Sequence, residues 1–192
     1  MPRKPEYDRD ELIHRARDLF WTQGWAGTSL KDLERILKMK PGSFYAAFGS
    51  KDALYELALE RYLRDGLARL EALASEHGPL GALQAFPHTV IEGGQVPARA
   101  CMLSKTLLEL HARQHPLAEV ANEYLKQMEM AFAELLARAQ VEGQIAAHHD
   151  VDALARRFQS DLIGLRVSAE RSDIDATAIA NEISGALARL AT

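Results

Sequence analysis

Apolar residues recur at helical spacing along almost the whole chain. In the first segment Leu12, Ala16, Leu19 and Phe20 fall at positions i, i+4, i+7 and i+8, which places them on one face of a helix. Runs of alternating β-branched residues, which would indicate strands, are scarce. The pattern therefore predicts an all-α fold of about nine helices.

Capping and breaking residues predict where these helices begin and end. Gln23-Gly24 is expected to end the first helix, and Ser29-x-x-Asp32 resembles a capping box that opens the second. Pro41 suits the first turn of a third, and a long fourth helix is expected over residues 51–76. Further helices are expected at about 80–92, 98–114, 117–142, 152–170 and 175–190, with Gly93, Gly94 and Pro97 in one connecting loop.

The second and third of these helices are short and follow each other closely. Two such helices packed on a preceding one form the unit that places a recognition helix in the DNA major groove. Gly42 and Ser43 would let the third helix approach DNA closely, and Tyr45 offers a phenol for a phosphate. Lys51, in the first turn of the next helix, can direct a positive charge at the same phosphate chain.

Charge is divided unevenly along the 192 residues, whose formal net charge is −4. Residues 1–51 contain ten Lys or Arg and seven Asp or Glu, whereas residues 52–192 contain 13 and 20. A basic head on an acidic body suits a protein that contacts phosphates with one end only.

One ordered set of motifs covers about residues 10–56. It consists of Leu19-Phe20, Gly24-Trp25, Thr28-Ser29-Leu30-Lys31-Asp32-Leu33, Gly42-Ser43-Phe44-Tyr45 and Phe48-Gly49-Ser50-Lys51-Asp52-Ala53-Leu54. This set resembles the DNA-binding domain of the tetracycline-repressor (TetR) family. The resemblance implies a homodimeric repressor that binds a double-stranded DNA operator and is released by a small-molecule inducer. It places the DNA-binding domain in residues 1–50 and a helical regulatory and dimerisation domain in residues 51–192.

The same resemblance assigns roles to individual residues. Thr28 and Ser29 would contact phosphate, residues 40–46 would enter the major groove, and Tyr45 and Lys51 would clamp the DNA backbone. The DNA-binding candidates are Thr28, Ser29, Lys31, Lys40, Pro41, Gly42, Ser43, Phe44, Tyr45 and Lys51.

The chain departs from the family pattern at two places. Lys38 stands where the family usually has a glycine in the turn, and a lysine at positive φ costs about 1 kcal/mol, so a remodelled turn is expected. Ala46 and Ala47 stand where a phosphate-contacting histidine or arginine is common in the family. Base readout would then rest on Lys40, Ser43 and backbone contacts.

The resemblance also places a sensing pocket among the middle helices and a dimer interface on the last two. The candidate pocket residues are Phe86, Val90, Met102, Leu107, Tyr124, Met128 and Phe132, each of which would also suit an ordinary bundle core. The interface candidates form two apolar stripes at helical spacing, which could instead pack within one chain. They are Leu154, Phe158, Leu162, Leu165, Ile179, Ile183, Leu187 and Leu190.

Cys101 is the only cysteine, and it follows Pro97 closely enough to fall in the first turn of a helix. Helix N-termini and nearby cations, here Arg99 and Lys105, favour a reactive thiolate. Its surroundings resemble a segment of TetR-family sensors of electrophiles and oxidants, which makes Cys101 a candidate redox sensor. Lone cysteines are more often packed core thiols, and that alternative stays open.

Other function classes find little support. No Ser/His/Asp order, Gly-rich phosphate loop or His-Glu-x-x-His helix is present, so an enzyme is not expected. His111 and His115 are spaced i, i+4, yet seven histidines make such a pair unsurprising, and we expect neither a metal nor a cofactor. The lack of a long apolar run predicts a cytoplasmic protein with no membrane partner. A helical interaction protein with reduced DNA affinity remains the alternative, because of Ala46 and Ala47.

Overall fold

The computed structural model describes residues 8–91 and 98–190, and within these ranges the regular elements are eight α-helices. This confirms the all-α prediction. The loop predicted at Gly93, Gly94 and Pro97 lies outside the described residues. The helices are α1 (Arg9–Gly27), α2 (Leu30–Leu37), α3 (Pro41–Phe48), α4 (Lys51–Thr89), α5 (Met102–His111), α6 (Pro116–Val141), α7 (Val151–Ser168) and α8 (Ala176–Ala188).

The predicted helices at 51–76 and 80–92 run together as the single helix α4, which accounts for the difference from nine. Only Gly78 departs from helical geometry, at φ 73° and ψ 176°. The N–H of Leu80, which the break leaves without a helical partner, donates to the Gln144 side-chain oxygen at 3.2 Å. The expected stop is therefore a break that a distant side chain caps, and the helix resumes beyond it.

The described residues form two hydrophobic cores. The first joins α1, α2 and α3 to the start of α4 and to α5, so that Phe20, Leu33, Phe44, Tyr55 and Leu110 are almost fully buried. The second joins the later part of α4 to α6, α7 and α8. The N-terminal head thus shares one continuous core with the first part of the body.

Helix α1 breaks at Gly24, whose φ is +77°, and α5 holds both sides of the break. On the upstream side, the Lys105 ammonium donates to the carbonyl of Trp21 at 2.7 Å. On the downstream side, the backbone N–H groups of Trp25 and Ala26 donate to the Glu109 carboxylate at 3.1 and 2.7 Å. Lys105 and Glu109 are four residues apart on α5, so a single face of this helix satisfies backbone groups that the break leaves open.

We predict that Gly24→Ala lowers the free energy of unfolding by about 2 kcal/mol, because alanine resists a positive φ. The added Cβ would also lie 2.7 Å from Glu109 Oε2. Urea denaturation measures the change. Gly27→Ala is the matched control in the same helix, since its Cβ would meet only Gln23 Cβ at an ordinary 3.7 Å. Equal stability of the two variants would contradict the claim that position 24 requires a positive φ and has no room for a side chain.

Candidate DNA-binding surface and internal cavity

Helix α3 has a buried side and an exposed side. Phe44 and Phe48 face the first core, at 0% and 5% exposure, and hold the helix against α1 and α4. The other residues of the helix and its N-cap are exposed, including Tyr45 at 49%. These exposed residues are Lys40, Pro41, Gly42, Ser43, Tyr45, Ala46 and Ala47. Most of the exposed side chains on this α3 surface are short, and the surface contains one lysine and no carboxylate.

The N-terminus of α3 is open to a ligand of negative charge. Lys40 occupies the N-cap and makes no side-chain cap hydrogen bond, and the first turn contains no acidic residue. Open N–H groups at a helix start attract phosphate oxygens, and the helix dipole adds to this attraction.

The turn between α2 and α3 is not remodelled. Lys38 itself adopts the left-handed conformation, at φ 54° and ψ 41°. The N–H of Met39 donates to the carbonyl of Glu34 at 3.0 Å, and the Met39 side chain is buried in the first core. These contacts offset the cost of about 1 kcal/mol for a lysine at positive φ.

Helix α2 begins as the sequence predicts. The Ser29 hydroxyl accepts from the N–H of Asp32 at 3.2 Å, and the Asp32 carboxylate accepts from Ser29 at 3.1 Å, which completes a capping box. The hydrogen bonds from Ser29 hold the pKa of Asp32 below its ordinary value. Ser29 and Lys31, at the start of α2, are both exposed to solvent.

Two DNA-binding candidates have buried side chains, which corrects their predicted roles. Thr28 is 1% exposed, and its hydroxyl donates to the carbonyl of Gly24 at 2.7 Å. It therefore stabilises the end of α1 and presents no side-chain atom to a phosphate. Phe44 is a core residue that positions the α3 surface from beneath.

Lys51 also makes contacts within the protein, and its role as a phosphate clamp stays a prediction. Its ammonium donates to the carbonyls of Trp25 and Thr28 at 2.7 and 2.9 Å and lies 4.0 Å from the centre of the Trp25 ring. Burial holds the pKa of Lys51 below its ordinary value, although Asp52 and Glu109 act in the opposite direction. Lys51 thus ties the start of α4 to the end of α1.

A cavity of about 150 Å³ lies where the two cores meet. Of the predicted pocket residues, Phe86, Met128 and Phe132 line it. The other four do not. Val90 packs in the second core and Met102 in the first, while Leu107 and Tyr124 border separate surface grooves. These four assignments are wrong for this cavity because helical spacing does not show towards which neighbour a side chain points.

Most of the cavity wall was not among the predicted residues. Helix α1, which forms the N-terminal head together with α2 and α3, contributes Arg17 and Trp21. The remaining lining residues come from α4, α5, α6 and α7; they are Tyr62, Asp65, Gly66, Arg69, Leu103, Leu125, Gln159, Leu162, Ile163 and Arg166. No local motif marks them, since they meet only through packing of five helices.

Cys101 lies in the wall of this cavity and is 8% exposed. It is the N-cap residue of α5, one position before the helix, rather than part of its first turn. The two nearby cations are engaged elsewhere: Lys105 binds the carbonyl of Trp21, and Arg99 donates to the carbonyl of Ala169 at 2.8 Å. Cys101 thus belongs to the first core and also borders the cavity, and its role as a redox sensor stays a prediction.

The predicted interface stripes on α7 and α8 are largely occupied within one chain. Phe158, Leu162, Leu165, Ile183 and Leu187 are all at most 8% exposed and belong to the second core. Leu165 and Ile183 also line the surface groove between α7 and α8, so the assignment of these stripes to a dimer contact stays a prediction.

The outer side of the same two helices is different. Leu154, Ile179 and Leu190 are only partly buried, and Gly164 and Ala186 are exposed. Apart from its chain neighbours and the backbone of its own helix, no atom of the described residues lies within 4 Å of a Cβ built at Gly164, so this surface is open to another helix.

The histidine pair does not form a ligand cluster. His115 caps α6, where its Nδ1 accepts from the N–H of Leu117 at 3.3 Å, and its ring packs 4.7 Å from that of Trp25. Across residues 8–91 and 98–190, no three His, Cys, Asp or Glu side chains are grouped to hold a metal ion. No helix in these ranges is long and apolar enough to cross a membrane.

Comparison with known proteins gives matches over both parts of the chain. Residues 12–58 match the sequence profile of bacterial regulatory proteins of the tetR family, and residues 79–181 match that of the tetracyclin repressor-like C-terminal domain. The regulator YezE of Bacillus subtilis is 29% identical over 91% of this chain and 93% of its own length. The repressor ComR of Escherichia coli is 27% identical over 85% and 80%. A cysteine mutant of the regulator CifR, solved with 26-bp operator DNA, is 27% identical with a TM-score of 0.80 over 96% and 98%.

We predict that Lys51→Met lowers the free energy of unfolding by about 2 kcal/mol, because two carbonyls lose a charged donor. Urea denaturation of the whole chain measures this. Lys126→Met is the control. Lys126 is exposed on α6, and its ion pair with Glu123, at 3.5 Å, is long and lies in solvent. If Lys51→Met is as stable as the control, Lys51 is not a structural clamp and its ammonium is available to DNA.

Proposed function

The chain belongs to the TetR family of transcriptional regulators, and we propose that it is a homodimeric repressor that a small molecule releases from its operator. The observation that carries this proposal is the composition of the cavity wall. Arg17 and Trp21 of α1 line the same cavity as residues of α4, α6 and α7. A molecule bound there would touch the DNA-binding head directly.

The α3 surface supports the DNA-binding part of the proposal. We propose that Lys40, Gly42, Ser43 and Tyr45 contact the operator, since all are exposed on one short helix with an open N-terminus. Ser29, Lys31 and Pro41 are exposed as well and complete the proposed contact set. The division into a DNA-binding domain of residues 1–50 and a regulatory domain of residues 51–192 is part of the same proposal.

A hydrogen-bonded route supports the coupling between ligand and DNA. The Trp21 indole donates to the carbonyl of Ala100 at 2.6 Å. The N–H groups of Arg99 and Ala100 in turn donate to Glu170, just beyond α7, at 2.7 and 2.8 Å. A ligand that displaces Trp21 would therefore shift α1 relative to α7. If that arrangement suits DNA less well, ligand and operator weaken each other's binding by the same factor.

The outer side of α7 and α8 supports dimerisation. Gly164 and Ala186 leave space for close approach of a helix from a second copy, with Arg157, Asp161 and Arg189 around them. A two-fold dimer would place two α3 helices on successive major-groove segments of an operator.

We predict that Lys40→Ala weakens operator binding and reduces the slope of log affinity against log salt by about 1, because one phosphate contact is lost. Tyr45→Phe should weaken binding by about tenfold if its hydroxyl donates to a phosphate. Fluorescence anisotropy with a duplex selected from random DNA measures both. Lys126→Ala is the control of equal charge change on α6.

The same experiment separates the repressor from a helical interaction protein with reduced DNA affinity. Exposed Ala46 and Ala47 motivated that alternative. Failure of the wild-type chain to select any sequence at low salt would favour it. An unchanged salt slope in Lys40→Ala would contradict the docking of α3 proposed above.

Release by thiol modification is a second candidate, and the position of Cys101 in the cavity wall favours it. A small electrophile that enters the cavity would reach the thiol beside Trp21 and Tyr62. We predict that such a reagent releases the wild-type chain from its operator and leaves Cys101→Ser bound. Anisotropy with mass spectrometry of the intact chain measures release and adduct together. Equal release of both proteins would remove Cys101 from the mechanism.

A further inference from the structure

The cavity that the proposed function uses contains more positive than negative charge. Three arginines, Arg17, Arg69 and Arg166, line it together with one carboxylate, Asp65. That carboxylate already pairs with Arg17 and with Arg61, the latter at 2.9 Å. Asp65 therefore pairs directly with Arg17 and Arg61, whereas its charge reaches Arg69 only at longer range.

Arg69 and Arg166 lack carboxylate partners among the described residues. Arg166 donates one hydrogen bond to the carbonyl of Arg99 at 3.1 Å, and none is recorded for Arg69 within the described part of the chain. Arg69 keeps part of its surface exposed to solvent. Burial of the rest of its side chain and the charge of Arg166 hold the pKa of Arg69 below its ordinary value, although Tyr62 and Asp65 act in the opposite direction. Two cations that line one cavity and repel each other form a place where an anion is stabilised.

Most of the remaining wall is apolar or aromatic, and the side-chain amide of Gln159 is already bonded to the carbonyl of Leu125 at 2.7 Å. Trp21, Phe86, Leu103, Leu125, Met128 and Phe132 surround a volume of about 150 Å³. A cavity of this volume has room for a molecule of roughly the size of benzene. An inorganic anion alone would leave these walls without contacts, whereas a purely apolar molecule would leave the two guanidinium groups without a counter-charge.

We propose that the cavity binds a small organic carboxylate, with the carboxylate between Arg69 and Arg166 and the apolar part against Phe86, Met128 and Phe132. Guanidinium groups match carboxylates because both are planar and can form two parallel hydrogen bonds. The inference rests on the proposed function for its regulatory meaning, but the binding itself does not require DNA.

Binding is tested without DNA by calorimetry of the full chain. The probes are benzoate, phenylacetate and pentanoate, each compared with its neutral amide of nearly equal shape. We expect saturable binding of at least one carboxylate, and an affinity for its amide that is lower by about tenfold or more. Failure of all three carboxylates to bind at millimolar concentration, or equal affinity for acid and amide, would overturn the proposal.

Variants then locate the carboxylate. Arg69→Gln should lower carboxylate affinity by about tenfold while amide binding changes little. Arg64→Gln is the matched control, because Arg64 and Arg69 are both exposed arginines of α4 and only Arg69 lines the cavity. Arg166→Lys retains the charge but not the planar fork, so intermediate affinity is expected. Equal affinity of Arg69→Gln and Arg64→Gln would contradict the assigned position. Thermal denaturation shows whether each variant is folded.

Operator release is measured separately by anisotropy with the same probes. A carboxylate that binds without releasing DNA would support the cavity assignment and contradict the proposed route of induction. Release by the amides but not by the acids would support induction through the cavity and overturn the proposal that its ligand is a carboxylate.

Discussion

A helix that breaks leaves backbone carbonyls open on one side and N–H groups open on the other, and α1 breaks at Gly24 at the contact between the head and the body. Lys105 and Glu109, one turn apart on α5, bind the two sides of this break. The direction in which α1 leaves the body therefore depends on α5, whose N-cap residue is Cys101. Since α2 packs on α1 and leads directly into α3, the position of the α3 surface depends in part on the same contact.

The cavity lies where this contact can be altered. It is bounded by the first core through Trp21 and Leu103 and by the second through Phe86 and Phe132. A space at the boundary of two packed units is more sensitive to an occupant than one within either unit, because filling it changes how the units meet.

Buried polar contacts complete the first core on the α5 side, where the Tyr55 hydroxyl pairs with Thr106 at 2.7 Å. Burial raises the pKa of Tyr55 to about 12, so the phenol stays neutral.

Local chemistry explains why much of the fold could be predicted. The capping box of Ser29 and Asp32, proline at the start of α3 and the break at Gly78 all depend on residues a few positions apart. The roles of Thr28 and Lys51 could not be read in this way. Whether a polar side chain reaches solvent or a backbone carbonyl depends on how neighbouring helices pack, and both side chains turn inward.

The sequence by itself determined the all-helical fold, its main breaks and the exposed residues of α3, because periodicity and capping act over one or two turns. Family membership followed from an ordered set of local motifs for the same reason. Tertiary structure alone decided which residues enclose the cavity. Arg17, Arg69 and Arg166 come from three different helices, and their shared environment arises only when α1, α4 and α7 are packed together. Long-range packing sets the direction of a side chain, and direction is what makes a charged residue part of a site.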